Sequence, residues 1–390
     1  MIDLTSVRAE TPGAAFVTHF NNAGASLPPQ PVLDTIVGYL NEEARLGGYE
    51  VAEAHRDDLQ AVYGTLGELV GADRSEIALV DSATRAWDLA FSAMTFRAGD
   101  RILTTESEYA SNVIAFVQVA RRSGASVEVV PSRQTGEIDV DVLDAMIDDR
   151  VRLIAINHVP TNSGLVNPAA EVGRVANAHG IPYLLDACQS VGQMPIDVRA
   201  LGCDMLSATS RKFLRGPRGS GFLYVRSAML DRLEPALLDL HGARLEAMDR
   251  IVMRPDARRF ELWERSAALV LGMGAAAAYA MGIGLDAIWE RDATLSALLR
   301  AALTDVSGVT VHDIGSVQGA IVTFGVTGRE AGDVKRALHE RAINVSVVTP
   351  SSAPFDTAER GLPAVVRASV HYFNTEREID RLVAAVADQG

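Results

Sequence analysis

The sequence predicts an α/β fold: a large domain built on a mostly parallel seven-stranded sheet, followed by a smaller α+β domain at the C-terminus. Three observations predict it. Short β-rich runs alternate with longer amphipathic stretches from about residue 75 to 230, the pattern of parallel strands covered by helices on both faces. After about residue 255 the order changes to two long helical stretches and then short strands mixed with helices. The length of 390 residues accommodates two or three domains, at roughly 100–200 residues each.

The first seven strands are expected at Glu76–Val80, Arg101–Thr104, Ser126–Val130, Arg152–Ile156, Pro182–Leu185, Asp204–Ser207 and Ser220–Val225. Runs such as Leu153-Ile-Ala-Ile156 fit strands buried on both sides. Helical patterns lie between them at Thr84–Phe96, Ser111–Ser123, Val140–Ile147 and Ala169–His179. Beyond them, helices are expected at Glu261–Met281, Leu285–Leu303, Ala331–Arg341 and Thr375–Ala387. The strands of this part fall near Val309–Val311, Ala320–Gly325, Ile343–Val347 and Ala364–Ser369. The expected domains are residues 16–255 and 256–390, with residues 1–15 packing on the second. No Pro- or Gly-rich linker separates them, so they are expected to pack tightly.

Composition removes several classes. A net charge of −14 argues against nucleic acid and anionic membrane partners. No apolar run reaches the ~18 residues that span a bilayer, and Ala267–Ala280 reads as a buried helix. The N-terminus has no signal-peptide pattern, and two cysteines, Cys188 and Cys203, form no disulfide framework, so a cytoplasmic protein is expected. The eight histidines show no paired metal-ligand spacing. Gly216-Pro-Arg-Gly-Ser-Gly221 precedes a strand and is not a dinucleotide fingerprint.

Lysine usage is the sharpest chemical signal. The chain has two lysines, Lys212 and Lys335, against 34 arginines. Arginine supplies charge but cannot act as a neutral amine. Lys212 sits in Ser207-Ala-Thr-Ser-Arg-Lys-Phe-Leu-Arg-Gly, a candidate for amine chemistry such as a Schiff base. Taken alone, it also reads as a stray basic residue in a surface loop.

Open parallel sheets bind ligands beyond the carboxyl ends of their strands. The exit loops here hold Asp81-Ser-Ala-Thr-Arg85, Glu106-Ser-Glu-Tyr-Ala-Ser-Asn112, His158-Val-Pro-Thr-Asn-Ser-Gly164, Asp186-Ala-Cys-Gln189 and Thr209-Ser-Arg-Lys212. Ser82-Ala83-Thr84 opens a helix, and helix N-termini bind phosphate. Thr209 and Arg211 offer a hydroxyl and a charge to the same phosphate. Asp186 follows an apolar strand, so it needs a cationic partner such as a protonated pyridine. Tyr109 offers a face for stacking. Singly, Thr84 reads as a cap, Asp186 as a cap or an arginine partner, Tyr109 as core or surface, and His158 as structural. Jointly they describe a pocket for pyridoxal 5′-phosphate with Lys212 as its amine.

From Phe20-Asn-Asn-Ala-Gly24 to Arg367-Ala-Ser-Val-His-Tyr-Phe-Asn-Thr375, the sequence resembles the fold-type-I, class V pyridoxal-phosphate enzymes. These include cysteine desulfurases, selenocysteine lyases and isopenicillin N epimerase. Asp186-Ala-Cys-Gln-Ser followed by Thr-Ser-Arg-Lys212 is the most specific part. The resemblance implies Lys212 as the cofactor's lysine, Asp186 on its ring nitrogen, Gln189 near its 3′-oxygen and Tyr109 stacked on the ring. It implies Ala83, Thr84, Thr209 and Arg211 around the phosphate and Asn162 facing the cofactor. It implies Arg367 on the substrate carboxylate, with Asn22 on that side. The segments Ala44–Glu53, with Tyr49, and Arg258–Arg265 look like the branch holding the ergothioneine-pathway C–S lyase. They imply a homodimer in which Trp263 and Glu264 reach the neighbouring site.

Desulfurases carry a mobile loop cysteine, and Asn344–Asp356 has none. The expectation is therefore a C–S β-lyase acting on a cysteine S-conjugate, yielding pyruvate, ammonia and a sulfur product, with a desulfurase disfavoured. A class V aminotransferase or an epimerase uses the same residues and remains the alternative. A binding or regulatory protein on the same fold is a third reading.

Overall fold

The computed structural model describes residues 2–389. After a short N-terminal helix (Leu4–Ala9), three helices precede the large sheet, α1 (Gln30–Leu46), α2 (Gly48–Ala54) and α3 (Arg56–Val70). The large sheet follows: β1 (Ile77–Val80), β2 (Arg101–Thr105), β3 (Ser126–Val130), β4 (Val151–Asn157), β5 (Tyr183–Asp186), β6 (Met205–Thr209) and β7 (Gly221–Val225). Its order is β1-β7-β6-β5-β4-β2-β3. Only β7 runs against its neighbours. The sheet is thus mixed but mostly parallel, as the alternating pattern predicts. In β4 the run from Leu153 to Ile156 is wholly buried, since helices cover both faces.

Helices α4 (Ala83–Ser92), α5 (Ala110–Ser123) and α6 (Ala169–His179) connect the strands. The Ser82 hydroxyl accepts the Arg85 N–H at 3.1 Å and fixes where α4 starts. A hairpin, β8 (Ala243–Ala247) with β9 (Arg250–Met253), leaves the sheet and is largely exposed.

Helix α7 (Ala267–Ile283) is buried along most of its length, as expected for the Ala267–Ala280 run. Glycines let it lie close to α1 and α3. A Cβ on Gly272 would stand 2.5 Å from Ile36 Cγ1, and one on Gly274 would stand 2.8 Å from Val62 Cγ2. The expected helix from Glu261 instead starts at Ala267. Glu261 is drawn into the core, where its carboxylate accepts the Leu79 N–H and the Tyr63 hydroxyl, each at 2.8 Å, and pairs with Arg265 and His241. Those bonds keep residues 261–266 out of the helix.

Helix α8 (Leu285–Thr304) leaves α7 at 79°. No single helix among the described residues is long and apolar enough to cross a membrane. An antiparallel sheet follows, in the order β10 (Val309–Val311), β11 (Ile321–Val326), β13 (Val365–Ser369), β12 (Ser346–Val348). Helices α9 (Ala331–Glu340) and α10 (Glu376–Ala387) complete this part. The expected strand Ile343–Val347 splits, because Ile343–Asn344 pairs with Thr18–His19 instead. The N-terminal segment is tied to this part by Arg8, which donates to the Phe373 carbonyl at 2.8 Å and pairs with Glu378.

Candidate active site

Parallel register brings the polar strand ends together. Asn157 on β4 pairs with Asp186 on β5, which pairs with Ser207 on β6. Beyond these ends lies a small cavity, partly open to solvent. Its wall includes Ala83, Thr84, Tyr109, Asp186, Gln189 and Lys212. These six come from four separate exit loops.

Asp186 is buried, and its carboxylate is oriented at both oxygens. Oδ1 accepts the Cys188 N–H at 2.9 Å, and Oδ2 accepts the Asn112 amide at 3.1 Å. Among the described residues no cation pairs with it, although a buried carboxylate calls for one. Gln189 is buried too, and its Oε1 has no partner among the described residues. A protonated pyridine ring with an adjacent oxygen would satisfy both groups. The first-turn N–H groups of α4, at Ala83 and Thr84, have no carbonyl behind them in the helix and suit a phosphate. The residues present therefore fit pyridoxal 5′-phosphate.

Lys212 is half-buried on the cavity wall. Cys188 lines the same cavity; burial pushes its thiol up, and the nearby Lys212 acts in the opposite direction. Cys188 thus faces the cavity, where the sequence reading treated it as a small core residue. Cys203 is fully buried, and burial pushes its thiol up to about 12.

Arg367 is buried at the centre of β13 without a carboxylate partner among the described residues. Its Nε donates to the Ser346 hydroxyl at 3.0 Å. Its Nη1 donates to the Thr161 carbonyl at 3.1 Å and hydroxyl at 2.7 Å. Burial, and then the nearby Arg211, pushes the guanidinium down to about 10. Thr161 also lines the cavity, so an unpaired cation stands at its edge.

The remaining expected residues are placed as follows. Thr209 is buried and donates to the Ser220 carbonyl at 3.4 Å. Arg211 donates to the Gly24 carbonyl. Asn162 donates to Asp356 at 2.6 Å and keeps an unpartnered Oδ1. Two expected substrate residues are placed differently. Asn22 spends its amide on the Ser369 carbonyl at 2.7 Å and its oxygen on Ser26 at 2.7 Å, which fixes the turn after Phe20 and leaves little to offer a ligand. Tyr49 is 81% exposed on α2 and does not line the cavity. Trp263 is 60% exposed, and Glu264 lines a separate hollow with Arg85 and Gly219. The sequence reading gave no role to Glu108, Asn112, Asn157, Thr161 or Ser346. The only signal for Glu108, Asn112 and Thr161 was their position in strand-end segments, and Asn157 falls between an expected strand and its exit loop.

Comparison with known proteins agrees with this construction and corrects one expectation. Residues 18–382 match the family model described as aminotransferase class-V. A probable cysteine desulfurase of Mycobacterium leprae is 30% identical, with 99% of this chain and 96% of that protein aligned. A cysteine desulfurase from Thermococcus onnurineus superposes with a TM-score of 0.93 at 24% identity, covering 100% of this chain and 98% of that one. A variant of the enzyme C-DES, solved with glycine covalently linked to its pyridoxal-phosphate cofactor, superposes with a TM-score of 0.88 at 24% identity, covering 98% and 99%. The expectation of a cysteine S-conjugate β-lyase, with a desulfurase disfavoured, is overturned. Relatives matched over 92–96% of their length are named cysteine desulfurases, despite the missing loop cysteine. The cofactor is pyridoxal 5′-phosphate, and the chain belongs to the class V aminotransferase family of fold-type-I pyridoxal-phosphate enzymes.

Proposed function

We propose that the protein is a pyridoxal-phosphate-dependent desulfurase that takes L-cysteine, breaks its Cβ–Sγ bond and leaves alanine. The observation that carries this reading is one cavity bounded by Lys212, a buried Asp186 without a cation and, at its edge, a buried Arg367 without an anion. The full-length similarity to proteins named desulfurases supports the choice of cysteine.

Each residue has a task set by its geometry. Arg367 pairs with the substrate carboxylate, a planar fork for a planar anion, with Thr161 and Ser346 fixing its direction. Asp186 keeps the ring nitrogen protonated. The bound cofactor supplies an electron sink for the charge left at Cα. Lys212 Nζ removes the α-proton and later returns a proton to carbon. The Ala83 and Thr84 N–H groups, with Thr209 and Arg211, anchor the phosphate. Gln189 would meet the ring oxygen, Tyr109 would cover the ring face, and Asn162 would border the site.

Asn344–Asp356 holds no cysteine, so in the assay an added thiol accepts the sulfur. Residues 16–255 are read as the cofactor-holding domain and 256–390 as the smaller one. A homodimer is part of the same reading. It would cover Tyr49, Leu240, Met248 and Trp263, all at least 60% exposed, and bring Trp263 and Glu264 toward the neighbouring site.

Purified holoenzyme with L-cysteine and dithiothreitol tests the proposal. Equal amounts of alanine and sulfide are expected. Pyruvate and ammonia in place of alanine would refute a desulfurase.

A further inference from the structure

Beside Asp186, joined to it through one amide and given no role above, lies a second buried acid. Glu108 is completely enclosed, in the loop that leads into α5. Its Oε1 accepts the Tyr109 N–H at 2.7 Å and the Asn112 amide at 2.9 Å. Its Oε2 accepts the Thr104 hydroxyl at 3.1 Å. None of these donors is a cation. A short neutral residue would serve a helix start as well, so the start of α5 does not require a buried acid.

Asn112 connects this acid to the cavity. Its amide nitrogen carries two hydrogens, and its two recorded acceptors are Glu108 Oε1 and Asp186 Oδ2. Glu108 Oε1, which also accepts the Tyr109 N–H, and Asp186 Oδ2 both call for a donor, so the NH2 end of the amide faces them and the side chain has one orientation. With the Cys188 N–H on Oδ1, the Asp186 carboxylate is held from both sides and its plane is fixed. The chain Thr104, Glu108, Asn112, Asp186 runs from the end of β2 to the cavity wall.

We propose that Glu108 and Asn112 are positioning residues for the cofactor's ring nitrogen: Glu108 locks Asn112, and Asn112 locks the Asp186 carboxylate. The proposal rests on the assignment of Asp186 to that nitrogen. Burial, and then the charge of Asp186, pushes the Glu108 carboxyl up to about 8. A neutral side chain of the same shape therefore replaces it with little change near neutral pH. Glu108→Gln keeps an oxygen for Tyr109 and Asn112, whereas Glu108→Ala keeps nothing.

The test compares holoenzymes of the wild type, Glu108→Gln, Glu108→Ala and Asn112→Ala. The readouts are the rate of cofactor loss on dialysis and the pH midpoint of the bound cofactor's visible absorbance. Glu108→Ala and Asn112→Ala are expected to lose cofactor on the order of tenfold faster and to move the midpoint. Glu108→Gln is expected to stay within about threefold of wild type. A purely structural defect would lower the melting temperature and leave the midpoint in place. If Glu108→Ala does not fold, Asn112→Ala carries the test, since it leaves two donors on the buried acid. Wild-type retention and midpoint in both alanine variants would overturn the proposal, as would a Glu108→Gln protein as defective as Glu108→Ala. A wild-type protein with no visible band under any loading condition would instead refute the cofactor assignment beneath it.

Discussion

The Thr161 hydroxyl accepts from Arg367 Nη1 at 2.7 Å and ties the cation of the smaller sheet to the loop that leaves β4. Arg367 is thereby aimed at the cavity edge with no carboxylate of its own. Arg367→Ala is expected to raise KM for cysteine on the order of 10- to 100-fold with a smaller change in kcat, the size of a lost charge-assisted pair. Thr161→Val should raise KM by less. Steady-state kinetics check both, and an unchanged KM in Arg367→Ala would remove it from the substrate site.

Asp186→Asn keeps the shape of the side chain but removes the charge that matches a protonated ring nitrogen. Its amide end would also meet donors at Asn112 or Cys188. Both effects oppose catalysis, and kcat is expected to fall by about 100-fold or more. A variant with wild-type kcat would show that the ring nitrogen lies elsewhere.

Gly221 allows β7 to pass close beside the start of α4. A Cβ there would lie 2.5 Å from the Ala208 carbonyl oxygen and 3.1 Å from the Ser82 carbonyl carbon. Its register partner on β6 is Thr209. Gly221→Ala should therefore displace both sides of the phosphate site and speed cofactor loss. Dialysis followed by absorbance measures this; retention equal to wild type would show that the phosphate does not sit there.

His158 gives a pH-dependent stability. Burial holds its imidazole down at about 4. In the unfolded chain it titrates near 6.5, so between these values only the unfolded state takes up the proton. The contribution is fully present above about pH 6.5 and is lost as pH falls toward 4. From about pH 7 to 5 the loss amounts to about 2 kcal/mol. Denaturant titrations at these two pH values should show a smaller drop in His158→Gln than in wild type. Equal drops would contradict the assignment.

The strands of the large sheet and their exit loops were legible because parallel strands are continuous apolar runs with polar ends. Helices α1 to α3 were not. On α1, Val37, Leu40 and Leu46 face outward and blur the apolar stripe. The hairpin at 243–253 escaped because it is exposed on both faces, so it lacks one-sided alternation. Glu261 was read as helical because local pattern says nothing of the distant Leu79, Tyr63 and His241 that hold it. In the site, Asp186 and Lys212 stood out by residue type and position. Glu108 and Asn112 did not, since their roles depend on a buried contact to Asp186 across 74 residues of chain. The missing loop cysteine was read correctly as a fact, but it did not exclude similarity to desulfurases.

The most direct measurement is borohydride reduction of the yellow holoenzyme followed by peptide mapping. The expected result is a single phosphopyridoxyl mass on the peptide that contains Lys212. An unlabelled Lys212 peptide, or the same mass on the exposed Lys335, would contradict the central claim.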